Sequence, residues 1–170
     1  MAELTAYEDK IKNFNGTQEQ QKQLVDELNS KYGKTLGTYQ TLSQWQDVLT
    51  KKGAAYAKTL MLEAQSQAVL NKYSEAYIAV IEAQQRLQSL RVEQANAGFL
   101  DDLSGRSKAI RFAMIDAMNQ LKQSQKDADQ YLKRFIDINR QIDKISSSNN
   151  FNPPSGGTNT PKVTTKTTST

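Results

Sequence analysis

An all-α fold is predicted for this chain: a long antiparallel coiled-coil helical hairpin with short N-terminal helices before it and a disordered C-terminal tail after it. Three observations predict it. Two stretches carry apolar residues in alternating four-three spacing, the stretch from Ala54 to Ala97 holds no glycine or proline, and Pro153, Pro154 and Pro161 all fall near the C-terminal end. A 3.5-residue period keeps one edge of a helix facing a partner when the two supercoil, and the lack of breakers lets such a helix run on. The mean hydropathy of −0.70 leaves too little apolar material for a broad core, so a narrow one is expected.

The first element is short. Leu4, Tyr7, Ile11 and Phe14 stand at helical spacing, and Asn15-Gly16 then offers the backbone freedom that stops a helix. Thr17 followed by Gln20 has the form of a capping box and opens a second helix through Leu24, Val25, Leu28 and Tyr32, with Gly33 as its expected stop. Lys34 to Gln40 reads as a connector, because Gly37 and β-branched threonines sit there without periodicity. Thr41 or Ser43 can cap the next helix, whose apolar face starts at Trp45, Val48 and Leu49; Gly53 is expected to bend it. These features divide the chain into N-terminal helices (1–53), a hairpin (54–146) with its turn near 98–105, and a tail (147–170).

The first seam consists of Leu62, Val69, Tyr73, Ala76, Val80, Ala83, Leu87 and Leu90, with Ser66, Gln94 and Ala97 completing its four-three series. After the interruption Gly98-Phe99-Leu100-Asp101-Asp102-Leu103-Ser104-Gly105, where Ser104 or Ser107 can start a helix, comes the second seam. It holds Ile110, Met114, Ala117, Leu121, Ala128, Tyr131, Phe135, Ile138, Ile142 and Ile145, with Ser124 filling the remaining place. Leu62 to Ala97 and Ile110 to Ile145 are equally long, each about 50 Å as helix. Folding back would set the alanine-rich seam against the bulkier one, small against large. Heptads specify a partner helix without naming it, so closure within one chain and homo-oligomer formation both stay open. Tyr77, Ile78 and Ile81 flank the first seam and call for cover by the N-terminal helices or another protomer.

Little in the sequence supports chemistry. Histidine and cysteine are both absent, which removes disulfides, thiolate metal sites and the commonest general base. Ser104-Gly105-Arg106-Ser107-Lys108 reads as a helix start rather than a nucleophile setting, and Asp101-Asp102 as acids opening a helix rather than a calcium loop. No phosphate-binding glycine loop occurs. No catalytic residue, cofactor, metal or small-molecule substrate is therefore expected, and the chain is not read as an enzyme. Trp45, Tyr39 and Tyr32 read as core aromatics rather than a base-stacking platform.

The net charge of +4 includes Lys162 and Lys166 in an acid-free tail, so the body is close to neutral and nucleic acid is not an expected partner. Besides Lys51-Lys52, a basic group lies at the hairpin tip, where Arg106, Lys108 and Arg111 accompany Phe99 and Leu100; this set is the candidate tip contact, with Asp101 and Asp102 beside it to neutralise it. The polar start MAELTAYEDKIK and the lack of a long apolar run predict a protein without a membrane span, cytoplasmic when synthesised. From Ser146 onward the Ser-, Thr-, Asn-, Gly- and Pro-rich sequence offers almost nothing to offset the entropy of ordering.

The run LVDELNSKYGKTLGTYQTLSQWQDVLTKKGAAYAKTLMLEAQSQAVLNK, Leu24 to Lys72, resembles a segment of tail tape measure proteins of phages and prophages. The features carrying the resemblance are LNSKYG ending at Tyr32-Gly33, the LSQWQDVLTKK element and the alanine- and glutamine-rich helix after it. The resemblance implies a non-catalytic structural part of a long α-helical assembly inside a virion tail, in contact with itself, tail-tube or tail-tip proteins. Tape measure proteins are generally many hundreds of residues long, whereas one unbroken helix of this length would reach only about 250 Å. A module or fragment is therefore what it implies. The competing expectation is a bacterial coiled-coil adaptor or chaperone-like protein-binding module.

Overall fold

In the computed structural model residues 2–152 are described, the side chains of Ala2, Phe99 and Leu100 excepted. The protein is all-α: the described residues form five helices, α1 (Ala2–Lys12), α2 (Gln18–Leu36), α3 (Leu42–Asn96), α4 (Phe99–Leu103) and α5 (Arg106–Ser148), and no strand. Packing groups Met1–Ser66 with Ile138–Thr170 as one unit and Gln67–Asp137 as another. The boundary expected at residue 53 instead falls inside α3, which contributes to both units, as does α5.

In the first unit α1 ends at Lys12, ahead of the expected stop at Asn15-Gly16, with the Asn13 amide and side chain both donating to Asp9 O. The capping box then forms: the Gln20 amide donates to Thr17 Oγ1 at 3.3 Å, and the Thr17 amide to Gln20 Oε1 at 2.9 Å. Two orphan amides of α2 are satisfied in this way. α2 does not stop at Gly33 but continues to Leu36, with Gly37 at φ 100° as its cap. The extra turn buries Leu36 one step beyond Tyr32 on the same stripe. Its carbonyls also find partners: Gly33 O accepts from the Gly37 amide, Leu36 O from the Tyr39 hydroxyl, and both Lys34 O and Thr35 O from Asn152. A donor this far along the chain has no local sequence signal.

One side chain, Asn29, makes three of the bonds that hold the connector. Asn29 accepts from the Tyr39 amide at 2.9 Å and from the Trp45 indole N–H at 3.2 Å, and donates to Tyr39 O at 2.8 Å. Thr41 caps α3, accepting from the Gln44 amide. Trp45 is fully buried, edge-on to Tyr39, in a core that gathers Leu4, Leu28, Leu36 and Leu49 among others. Through this core runs a ladder of edge-to-face rings, Tyr7 to Tyr32 at 5.9 Å, Tyr32 to Tyr56 at 6.0 Å and Tyr56 to Phe151 at 6.2 Å, with one ring each from α1, α2, α3 and the segment after α5. Such pairs add favourable edge-to-face electrostatics to the buried area.

At Gly53, where a bend is expected, α3 runs on without a break from Leu42 to Asn96. Gly53 is buried, and a Cβ there would come within 3.0 Å of Glu8 Oε1 and 3.5 Å of Leu4 Cδ2. The glycine therefore serves close approach of α1. Because the nearer obstacle is the end of a flexible side chain, Gly53→Ala should raise stability by about 0.5–1 kcal/mol through helix propensity. Gly53→Leu should lower it by pressing on Leu4. Chemical denaturation of the two variants checks both signs.

Residues 147–152 of the expected disordered tail are ordered. α5 continues through Ser148, Phe151 is buried against the core of the first unit, and Asn152 bonds to α2. Lys52 Nζ also donates to Asn150 O at 3.1 Å. The apolar anchor Phe151, alone in a polar run, outweighs its surroundings by filling the end of the ring ladder. The remainder of the expected tail, 153–170, lies outside the described residues.

Candidate functional site: the helix seams and their outer faces

The four-three positions can be followed one unit at a time. In the unit Gln67–Asp137, Val69, Val80, Ala83 and Leu87 on α3 are buried, as are Ile110, Ala117, Ala128 and Phe135 on α5. Tyr73, Ala76, Leu90, Met114, Leu121, Ser124 and Tyr131 are half-buried. In the first unit Leu62, Ser66 and Ile142 are buried, Ile138 and Ile145 are half-buried, and Ile145 packs against the aromatic core. Of the series only Gln94, its polar place near the end of α3, is exposed. Ser66 Oγ donates to Asn139 Oδ1 at 3.3 Å, so the polar place in the α3 series has a polar partner on α5. This satisfaction matters because a buried hydroxyl left unpaired costs free energy.

Polar pairs line one flank in the unit Gln67–Asp137. Arg86 lies 3.7 Å from Asp116 and donates to Gln120 at 3.4 Å, while Arg106 lies 2.9 Å from Glu93. The candidate tip residues fall here too. Arg106 also pairs with Asp101 at 3.3 Å, Arg111 approaches Asp102 at 4.0 Å, and Lys108 stands 5.9 Å over the Phe112 ring. Asp101 also accepts from the Gly98 amide, which stops α3 and starts α4. These charges are spent within the tip, and exposed pairs of this sort each contribute little. Phe99 and Leu100 open α4, and their side chains are not among those described.

The outer faces are what the sequence reading undervalued. Tyr77, Ile78, Ile81 and Val92 on α3 and Phe112, Ile115 and Met118 on α5 are all exposed, Phe112 to 62%. Only the α3 trio was legible, because the alternation that marks the seam of α5 draws the eye from apolar residues lying off it.

A polar cluster joins α1 to α2 in the first unit. The Tyr7 hydroxyl donates to Glu27, Lys10 lies 3.6 Å from Glu27, and Lys31 lies 2.7 Å from Glu3 and 5.0 Å from the centre of the Tyr7 ring. The Tyr7 hydrogen bond, helped by the lysines, holds the Glu27 carboxyl below its usual range. In the same core burial, with the nearby Glu3 carboxylate adding to it, pushes Tyr32 up to about 12 from 10.0. A raised folded-state value contributes stability that is full below the unfolded value and is lost as pH rises through the folded one. Stability should therefore fall as pH is raised from 10 towards 12. For Glu27 the contribution is present above the unfolded carboxyl value and is lost on acidification through the lower folded value. Thermal melts across pH, read beside tyrosinate absorbance, check both limbs; Tyr32→Phe should flatten the alkaline one.

Concavities are shallow. One of about 320 Å³ lies between the end of α2 (Gly33 to Gly37) and Ser146 to Asn152, and another of about 490 Å³ lies along Gln85, Gln88, Ser89 and Val92. Among the described residues no group of three or more acidic, histidine or cysteine side chains converges as a metal site, and no helix is long and apolar enough to cross a membrane. The chain matches no protein-family model, no curated protein and no solved structure.

Proposed function

We propose that the chain is a non-catalytic structural protein of a phage or prophage tail, a tape-measure-like module that acts through coiled-coil contacts. The observation carrying this reading is the protection of the four-three series on α3 and α5, whose members other than Gln94 are all buried or half-buried. The order of the cross-helix pairs supports an antiparallel hairpin over Gln67–Asp137: as α3 advances from Arg86 to Glu93, its partners on α5 retreat from Asp116 and Gln120 to Arg106. The buried members of the series mix small Ala83 and Ala117 with bulkier Leu87, Ile110 and Phe135, a mix that suits close helix approach. A seam of this kind has no lined cleft for a substrate, and its working surface is the outside of the helices.

The segment resembling tape measure proteins, Leu24 to Lys72, supplies much of the aromatic core around Trp45. On this reading that core is a folded anchor, and the module contacts tail-tube or tail-tip proteins. Peptide mapping of purified tailed particles, induced from cells encoding the chain, tests it: peptides of this chain are expected inside the particles. Their absence, together with recovery of the chain on a non-virion protein, would replace the tail reading with that of a bacterial coiled-coil adaptor, which the exposed outer faces also favour.

A further inference from the structure

The last turn of α2 and the end of α5 are built on each other. After Ser148 the chain reverses through Asn150, which stands at φ 49°, a left-handed backbone that asparagine tolerates and glycine prefers. The Asn150 amide donates to Ser147 O at 3.3 Å and the Phe151 amide to Ser146 O at 3.1 Å, the paired bonds that close a helix around such a residue. The reversal sets Phe151 against Tyr56 and brings Asn152 to α2, where its amide donates to Thr35 O at 3.1 Å and its side chain to Lys34 O at 3.2 Å. Both carbonyls belong to the turn that a stop at Gly33 would exclude. Two features oppose this arrangement. Ser146 Oγ is buried with no hydrogen-bond partner among the described residues, and Asn150 carries the left-handed backbone. A buried hydroxyl left unpaired recovers a partner only when water reaches it.

From this balance we infer that residues 149–152 are a clasp that opens separately from the core, and that the last turn of α2 holds only while the clasp is closed. When it opens, Lys34 O and Thr35 O lose their donors, Phe151 leaves Tyr56, and α2 retreats to the stop that Gly33 offers. Leu36 is released with that turn. So is the bond from the Tyr39 hydroxyl to Leu36 O, which carries the change into the connector, where Tyr39 packs edge-on to Trp45. Local opening of this kind belongs to small elements held by few contacts. The clasp therefore couples the end of α5 to the connector between α2 and α3, and tension on the chain where it leaves α5 shortens α2. This device goes beyond the tail reading and stands whether or not the chain is found in particles.

Native-state hydrogen exchange of the full chain at increasing denaturant is the test. The Leu36 and Gly37 amides should exchange faster than those of Leu24 and Leu28, and with little dependence on denaturant, the mark of an opening that exposes little surface. Phe151→Ala should speed exchange at Leu36 and Gly37 by at least about tenfold, and Asn152→Ala by about fivefold. Ser146→Ala removes the unpaired hydroxyl and Asn150→Gly relaxes the backbone, so each should slow it by about threefold. Ile11→Ala, which weakens the packing of α1, should speed exchange at Leu24 and Leu28 and leave the denaturant-insensitive exchange at Leu36 and Gly37 unchanged. Exchange of all four amides at one rate and with one denaturant slope, or exchange at Leu36 and Gly37 indifferent to the clasp substitutions, would overturn the inference.

Discussion

Replacing Phe135 by aspartate should destabilise the protein by about 4 kcal/mol, since it removes a large buried ring and forces a carboxylate into its place. Phe135 is 3% exposed, stands between Ala128 and Ile142 along the α5 seam, and is buried as they are. The control lies on the same helix: Phe112 is exposed, and Phe112→Asp should change stability by no more than about 0.5 kcal/mol. Thermal melts followed by helix content read the difference directly. Equal midpoints for the two variants would mean that α5 does not bury the face assigned to it.

Trp45→Ala should be comparably costly, at about 3–5 kcal/mol, because the indole is fully buried and its loss leaves a cavity under the connector. Trp45→Phe keeps most of the volume and removes only the N–H that Asn29 Oδ1 accepts, so it should cost about 1–2 kcal/mol. The split between the two variants separates packing from hydrogen bonding at this site. As the single tryptophan of the chain, Trp45 also reports on its own environment: native fluorescence should be blue-shifted and should move red with loss of the aromatic core. Denaturation monitored by that emission, beside helix content, shows whether the first unit melts together with the unit Gln67–Asp137.

Both variants probe positions that were visible in the sequence, for different reasons. Phe135 sits in a periodic series, and periodicity is a property of one helix; it marks an inward face without knowledge of the partner. Trp45 was assigned to the core from its helical setting, but its partner Asn29 was not singled out, because the bond bridges two helices across a connector. The overall helical class, the capping box at Thr17 and Gln20, and the break between α3 and α5 were likewise local matters, decided by residues within a few positions of each other.

Three features were decided only in three dimensions. Gly53 looks like a helix breaker when its neighbours alone are considered, yet α3 runs through it, and Leu4 and Glu8 lie close enough that only a small side chain fits there. Gly33 offers a stop, but burial of Leu36 and donors from Asn152 favour another turn of α2. Phe151 stands in a run too polar to order itself, and its place is fixed by Tyr56, far away along the chain. The amino-acid order determined where helices form and which edge of each is apolar, because backbone propensity and period act over a few residues. Where those helices end and what covers their ends depended on long-range burial and hydrogen bonding, whose energies exist only once the chain has brought distant residues together.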